Sequence, residues 1–220
     1  MAPIVYENSD FLIADKSHGI PTVPLKGQDA GNTLLGLVSS VRPEVLEIRG
    51  KNPWEGGTLH RLDTATSGLV VFARTQAMYD YLQAIQKEDR FEKSYRAKTV
   101  TSDRLKGIDL RIDEGEPFEI VSYFRSYGRY SKEVRPTQDI KRADTPVLYK
   151  TIAVKDMDLF VCNITRGFRH QIRAHLAWIG HPIAGDAVYG SAGPSDTLEL
   201  DCCALRFPMP DGKFFTFAKN

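Results

Sequence analysis

The alternation of apolar and polar positions divides the chain into strand-length and helix-length pieces. Ile4-Val5-Tyr6 and Phe11-Leu12-Ile13-Ala14 are short apolar runs split by the turn-forming Glu7-Asn8-Ser9-Asp10, and they predict a first strand pair. Leu69-Val70-Val71-Phe72-Ala73 is an unbroken apolar run of strand length, the pattern of a strand buried on both faces. Residues 92–100 alternate instead, with Lys93, Tyr95 and Ala97 on one face and Ser94, Arg96 and Lys98 on the other. Further strands are predicted over 118–124, 147–154 and 159–164. A closing hairpin joins 201–207 to 213–218 through Pro208-Met209-Pro210-Asp211-Gly212.

Helical spacing occurs three times. Residues 33–41 form a short helix with Asn32 or Thr33 as cap and Pro43 as stop. Residues 75–87 carry Met78, Tyr81, Leu82 and Ile85 at i, i+3, i+4 and i+7, a core-facing stripe. Residues 169–179 present Ile172, Leu176 and Ile179, with Gly180 as the stop. Residues 18–31 and 50–57 are Gly-rich loops, and 125–132 is a basic, aromatic one. No repeat, low-complexity tract or linker interrupts the pattern, so residues 1–220 are expected to form one domain. Strands dominate, and the class is α+β: a mixed, largely antiparallel sheet flanked by helices and loops.

Composition adds little. Apolar residues make up 42% and charged residues 26% of 220, and the formal net charge is +1, so no whole-molecule field marks a nucleic-acid partner. Any such affinity has to come from local clusters of Lys and Arg. Cys162, Cys202 and Cys203 are too few and wrongly spaced for a disulfide framework or a zinc site, and read as buried thiols. The opening residues lack the basic and apolar regions of a signal peptide. No run approaches the ~20 apolar residues of a membrane span. The expectation is a soluble cytoplasmic protein, with monomer as the default.

Three segments concentrate reactive groups. His60-Arg61-Leu62-Asp63, with Thr64, Thr66, Ser67 and Gly68, lies in a loop just before a buried strand, a rigid mount for a side chain at a cleft. Asp63 there can be a nucleophile, a base or a metal ligand, or simply part of a turn. Lys93 and Tyr95 share a strand face and can line a pocket, the phenol ring offering a stacking surface. In Arg166-Gly167-Phe168-Arg169-His170-Gln171-Ile172-Arg173-Ala174-His175, a helix would set Arg169 and Arg173 on one face, able to hold phosphates or a carboxylate.

Together these segments resemble the RluA-type family of pseudouridine synthases. His60-Arg61-Leu62-Asp63 followed by Thr66-Ser67-Gly68-Leu69 is similar to the family's catalytic motif, and Lys93-x-Tyr95 to its tyrosine motif. His170-Gln171-Ile172-Arg173-x-His175, then Gly180-x-Pro182-Ile183-x-Gly185-Asp186 and Tyr189-Gly190, is similar to its third. Two places depart from the pattern. Lys16-Ser17-His18-Gly19 stands where Lys-Pro-x-Gly is usual, and Phe168 stands where the family usually has arginine.

The resemblance implies a pseudouridine synthase catalytic fold with a central active-site cleft, and an isomerase of ribosomal or transfer RNA. Asp63 would be the catalytic aspartate, Tyr95 would pack on the target uracil, and Arg173 would pair with Asp63. It implies no metal, nucleotide or organic cofactor. Because the first motif begins within the opening residues, it also implies a stand-alone catalytic domain with no S4-like extension. Arg61, His60, Lys93, Arg166, Arg169, His170, Arg129 and Lys132 are the candidates for gripping RNA. Two other readings remain open: a non-catalytic RNA-binding or ribosome-assembly factor keeping the fold, and a metal-dependent phosphodiesterase using His60, Asp63, His170 and His175.

Overall fold

The computed structural model describes residues 3–190 and 195–219. In chain order the first elements are β1 (Ile4–Glu7), β2 (Phe11–Lys16), α1 (Leu34–Ser39), β3 (Ser67–Ala73), α2 (Gln76–Lys87) and β4 (Glu92–Lys98). They are followed by β5 (Pro117–Tyr127), β6 (Glu133–Thr137), β7 (Tyr149–Asp156), β8 (Leu159–Ile164), α3 (Gln171–Trp178), β9 (Leu200–Pro208) and β10 (Phe214–Ala218). The chain forms two compact units, one of residues 1–91 with 202–220 and one of residues 92–201. The fold class is α+β.

In the first unit the strand order is β1-β2-β3-β9-β10. The β1–β2, β2–β3 and β9–β10 ladders are antiparallel. β3 is buried from Gly68 to Ala73, as its continuous apolar run predicts. Gly68 is required where it stands. Its φ is +115°, and a Cβ there would come within 2.3 Å of the Cys202 backbone nitrogen. α2 begins at Thr75, whose hydroxyl accepts from the Met78 N–H, a side-chain N-cap. Its buried face is Met78, Tyr79, Leu82 and Ile85. Tyr81, expected in that stripe, lies half-buried at its edge and bonds the Pro208 carbonyl through its hydroxyl.

In the second unit the order is β4-β8-β7-β5-β6, every ladder antiparallel. β4 keeps the expected alternation: Lys93, Tyr95 and Ala97 are buried while Arg96 and Lys98 are exposed. The basic, aromatic stretch is not all loop. β5 runs on to Tyr127 and pairs with β6, a strand the apolar pattern does not announce because only Val134 and Thr137 in it are buried.

The largest correction concerns α3. It begins at Gln171, not at 169, because His170 adopts the left-handed conformation at φ 57°, which ends helical continuity on its N-terminal side. Gln171 Oε1 accepts from the Phe168 N–H, stabilising this sharp entry. Arg169 and Arg173 therefore do not share a helix face. All eight residues of α3 are buried, so the apolar stripe alone does not define its packing.

Candidate active site

Asp63 sits on a loop fixed by two sets of backbone bonds. Ahead of it, Leu59 N–H donates to Val71 O and Ala73 N–H to Gly57 O, which ties the incoming chain to β3. His60 turns back onto this strand: its Nε2 accepts from the Val71 N–H and its ring packs against Phe91. Next, the Thr22 hydroxyl both accepts from the Leu62 N–H (3.1 Å) and donates to the Leu62 carbonyl (2.9 Å). Beyond Asp63, the Thr64 carbonyl accepts from the Gly19 N–H (2.9 Å) and from Lys16 Nζ (3.1 Å). Residues 16–22 thus grip the main chain immediately before and after Asp63, whose side chain is half-buried.

Lys16 is fully buried at the end of β2. Its ammonium donates to the carbonyls of Ser17, Ile20 and Thr64, using all three of its protons. Burial pushes its pKa down to about 8, while the Asp63 carboxylate pulls it up. The ammonium is therefore mostly charged at neutral pH and adds an attractive field at Asp63. The sequence marks Lys16 only as the first residue of a motif and gives no sign of Thr22. Nothing in a strand-end lysine or a loop threonine announces that it anchors a segment more than 40 residues away. Gly19 keeps φ +85° in the same turn, so the unusual Ser17-His18 pair still precedes the glycine that the turn requires.

Arg61, two residues before Asp63, projects into solvent and bonds Glu55 through Nη1 at 2.9 Å. Glu55 itself is buried, so the contact tethers an exposed cation to a fixed carboxylate.

In the second unit, β4 points the Tyr95 ring inward, opposite Cys162 of β8, and buries it with Lys93. The Lys93 ammonium reaches the Thr165 carbonyl at 3.4 Å. Arg173 is buried and forked onto Asp186, with Nε–Oδ2 at 2.7 Å and Nη2–Oδ1 at 2.8 Å. Burial alone would raise the Asp186 carboxyl. The bond and charge of Arg173, with the N–H groups of Tyr189 and Val188, outweigh it and hold Asp186 below the usual carboxylate range. Asp186 is thus the residue that orients Arg173, a role its place in the third motif does not by itself reveal. Tyr189 lies beneath the same guanidinium. Its hydroxyl accepts from the Val134 N–H and meets His170 Nδ1, and burial pushes its pKa up to about 12.

The remaining candidates separate into inward and outward groups. Phe168, in the family's usual arginine position, is half-buried against the core: it stacks on Phe124 at 4.9 Å and packs at a tilt against Tyr149. His175 is buried between the Ser122 and Thr151 hydroxyls and stacks on Phe124. That environment commits it to structure, and no group of three or more metal-ligating side chains occurs among the described residues. Arg129 and Lys132 are exposed, as is Arg169, which donates to the Glu133 carbonyl. Arg166 is half-buried. Cys162, Cys202 and Cys203 are buried, and no helix among the described residues is long and apolar enough to cross a membrane.

Residues 10–178 match the family described as RNA pseudouridylate synthase. Ribosomal large subunit pseudouridine synthase D of Nitrosomonas europaea is 31% identical over 192 residues, covering 87% of this chain and 50% of that protein. The pseudouridylate synthase RPUSD2 of Homo sapiens is 27% identical over 195 residues, covering 87% of this chain and 32% of that protein. The chain thus spans about a third to a half of the length of these relatives. Among solved structures, human RNA pseudouridylate synthase domain containing 1 superposes with a TM-score of 0.71 over 99% of this chain and 82% of its own, at 21% identity, which is a likeness of fold. With its aspartate motif, tyrosine motif and arginine motif each carried on the elements described above, the chain belongs to the RluA-type family of RNA pseudouridylate synthases.

Proposed function

We propose that the protein is an RNA pseudouridine synthase acting on uridines of ribosomal or transfer RNA, with Asp63 as its catalytic carboxylate. One observation carries the reading furthest: the backbone on both sides of Asp63 is held by Lys16, Gly19 and Thr22. A group that must meet a single sugar carbon needs such a mount, because small misplacements are costly in rate.

The reaction is an isomerisation. The N1–C1′ bond breaks, the base turns, and a C5–C1′ bond forms; the C5 proton leaves and N1 gains one, so nothing is added overall. A single carboxylate suits it, either adding to the sugar or removing a proton from it, and then being released. In this reading Arg173, held by Asp186, is the cation assigned to the Asp63 carboxylate. Tyr95 receives the uracil ring. Stacking of this kind contributes about 1–3 kcal/mol, against an extrusion cost of a few kcal/mol. Arg61, Arg129, Lys132 and Arg169, all exposed, are assigned to the phosphates, with His60, Lys93, Arg166 and His170 as the further RNA candidates. Binding therefore weakens steeply with salt. In this reading residues 1–220 act as one catalytic domain, monomeric and cytoplasmic, without a nucleotide cofactor.

The test is genetic and chemical together. The gene is deleted in its host and pseudouridines are mapped across all stable RNAs. A discrete site should be lost, restored by the wild-type gene and not by Asp63→Asn. Persistence of every site in the deletion strain, with no conversion of its RNA by the purified protein, would refute the proposal.

A further inference from the structure

The second unit contains a pocket of about 270 Å³ lined by residues 104–107, β5, β6, α3 and Tyr189. Four of its lining side chains, Arg104, Lys106, Arg125 and Arg135, are cationic and none is acidic. Lys106 is engaged by Asp109 and Asp103, and Arg135 by Glu133 at 3.4 Å, so Arg104 and Arg125 set the charge of the rim. Arg104 is anchored by a bond to the Gly190 carbonyl. Arg135 lies 3.4 Å over the Tyr127 ring, and its Nε is buried without a hydrogen-bond partner among the described residues. Such an atom is costly unless a ligand or water completes it.

Trp178, Leu105, Val134 and Ala177 supply the apolar part of the lining. Gly107 passes so close to the indole that a Cβ would lie 2.0 Å from its Nε1, and the Gly107 N–H donates to the Trp178 carbonyl. The ring is therefore held in place. An indole among apolar side chains, lined also by cations, matches a nucleobase with its phosphate. The volume lies just below the ~300 Å³ at which pockets for drug-sized ligands begin, which suits one base and excludes a dinucleotide.

We infer that this pocket is a second nucleotide subsite, taking one unpaired nucleotide of the RNA other than the uridine at Asp63. The inference rests on the reading that the protein acts on RNA. The subsite also touches the proposed chemistry: Tyr189 lines it and lies beneath the Arg173 guanidinium, while Ala174 and Ala177 are on the same helix as Arg173. Occupation of the pocket therefore reports on whether the correct RNA is seated, and makes it a determinant of specificity.

The chain has two tryptophans, so Trp54→Phe leaves Trp178 as the sole indole reporter. In that background, a 12-nucleotide single-stranded RNA of mixed sequence should quench Trp178 emission, and a blunt duplex of the same length should not. Ala177→Leu, which fills the pocket, and Arg125→Glu, which reverses a rim charge, should each weaken the quench by about 5- to 150-fold, the range of one lost stacking contact. Circular dichroism checks that both remain folded. Asp63→Asn should leave the quench intact, which separates this inference from the proposed catalytic role. Equal quenching by duplex, quenching by free AMP or UMP as tight as by RNA, or indifference to both variants would overturn the subsite.

Discussion

Lowering the pH should destabilise the protein through His175, and the size of the effect follows from its surroundings. The imidazole is fully buried, bonded to Ser122 and Thr151, and burial pushes its pKa down from 6.5 to about 3. The unfolded chain binds this proton at an ordinary pKa and the folded chain does not. Stability from this site is therefore complete above pH 6.5 and is lost as pH falls toward 3. Each pH unit inside that window corresponds to about 1.4 kcal/mol, which gives a loss of about 2 kcal/mol by pH 5. The assay is urea unfolding, followed by fluorescence at fixed salt, of wild type and His175→Gln at pH 8, 6.5 and 5. All other groups are common to both chains and cancel in the difference. The stability advantage of wild type over the variant should shrink by about 2 kcal/mol between pH 8 and pH 5. A pH-independent gap, or a His175 proton resonance titrating near 6.5, would refute the reasoning.

Arg173→Ala should cost about 3–5 kcal/mol in urea unfolding, because it leaves Asp186 buried and uncompensated. Asp186→Ala in the same chain should recover part of that loss, whereas additive losses would exclude the coupling. Lys16→Met removes the donor to three carbonyls at about 1–3 kcal/mol for each one left unsatisfied, and should lower both Tm and kcat. The stability contributed by Lys16 should also rise with pH above about 8, because the folded site releases its proton before the unfolded chain does; a pH-independent difference from Lys16→Met would contradict this. Thr22→Val strips both bonds to Leu62 and should reduce kcat more than it changes KM in single-turnover assays on the mapped RNA. Gly68→Ala should cost at least about 1–3 kcal/mol from backbone strain, read as a lowered Tm.

Much of the fold was legible in the sequence because its strands are strongly patterned. The buried run of β3, the alternation of β4, the Thr75-capped helix α2 and the closing hairpin all appear where periodicity sets them. β6 was not legible, since a short strand with two buried residues looks like the loop beside it. The helix start at 169 failed for a different reason. Arg169 and His170 are compatible with a helix by propensity, and only the tertiary demand on Phe168 and Gln171 bends the chain at His170. At the site, the motif residues themselves could be named from sequence. The holding roles could not: Lys16, Thr22 and Asp186 act through contacts across 48, 40 and 13 positions, and no local spacing rule encodes such reach. His175 shows the converse case, a motif histidine whose chemistry is packing.

The grip of residues 16–22 on the chain flanking Asp63 makes that stretch a ruler. Its two jaws are Lys16 with Gly19 on Thr64 and Thr22 on Leu62, so the number of residues between them sets the spacing at which the carboxylate is presented. The side chains of Ser17 and His18 are exposed, so replacing them leaves both jaws in place, whereas changing the count does not. One residue inserted or deleted between Lys16 and Thr22 would slide one jaw past the other, detuning the aspartate without altering any motif.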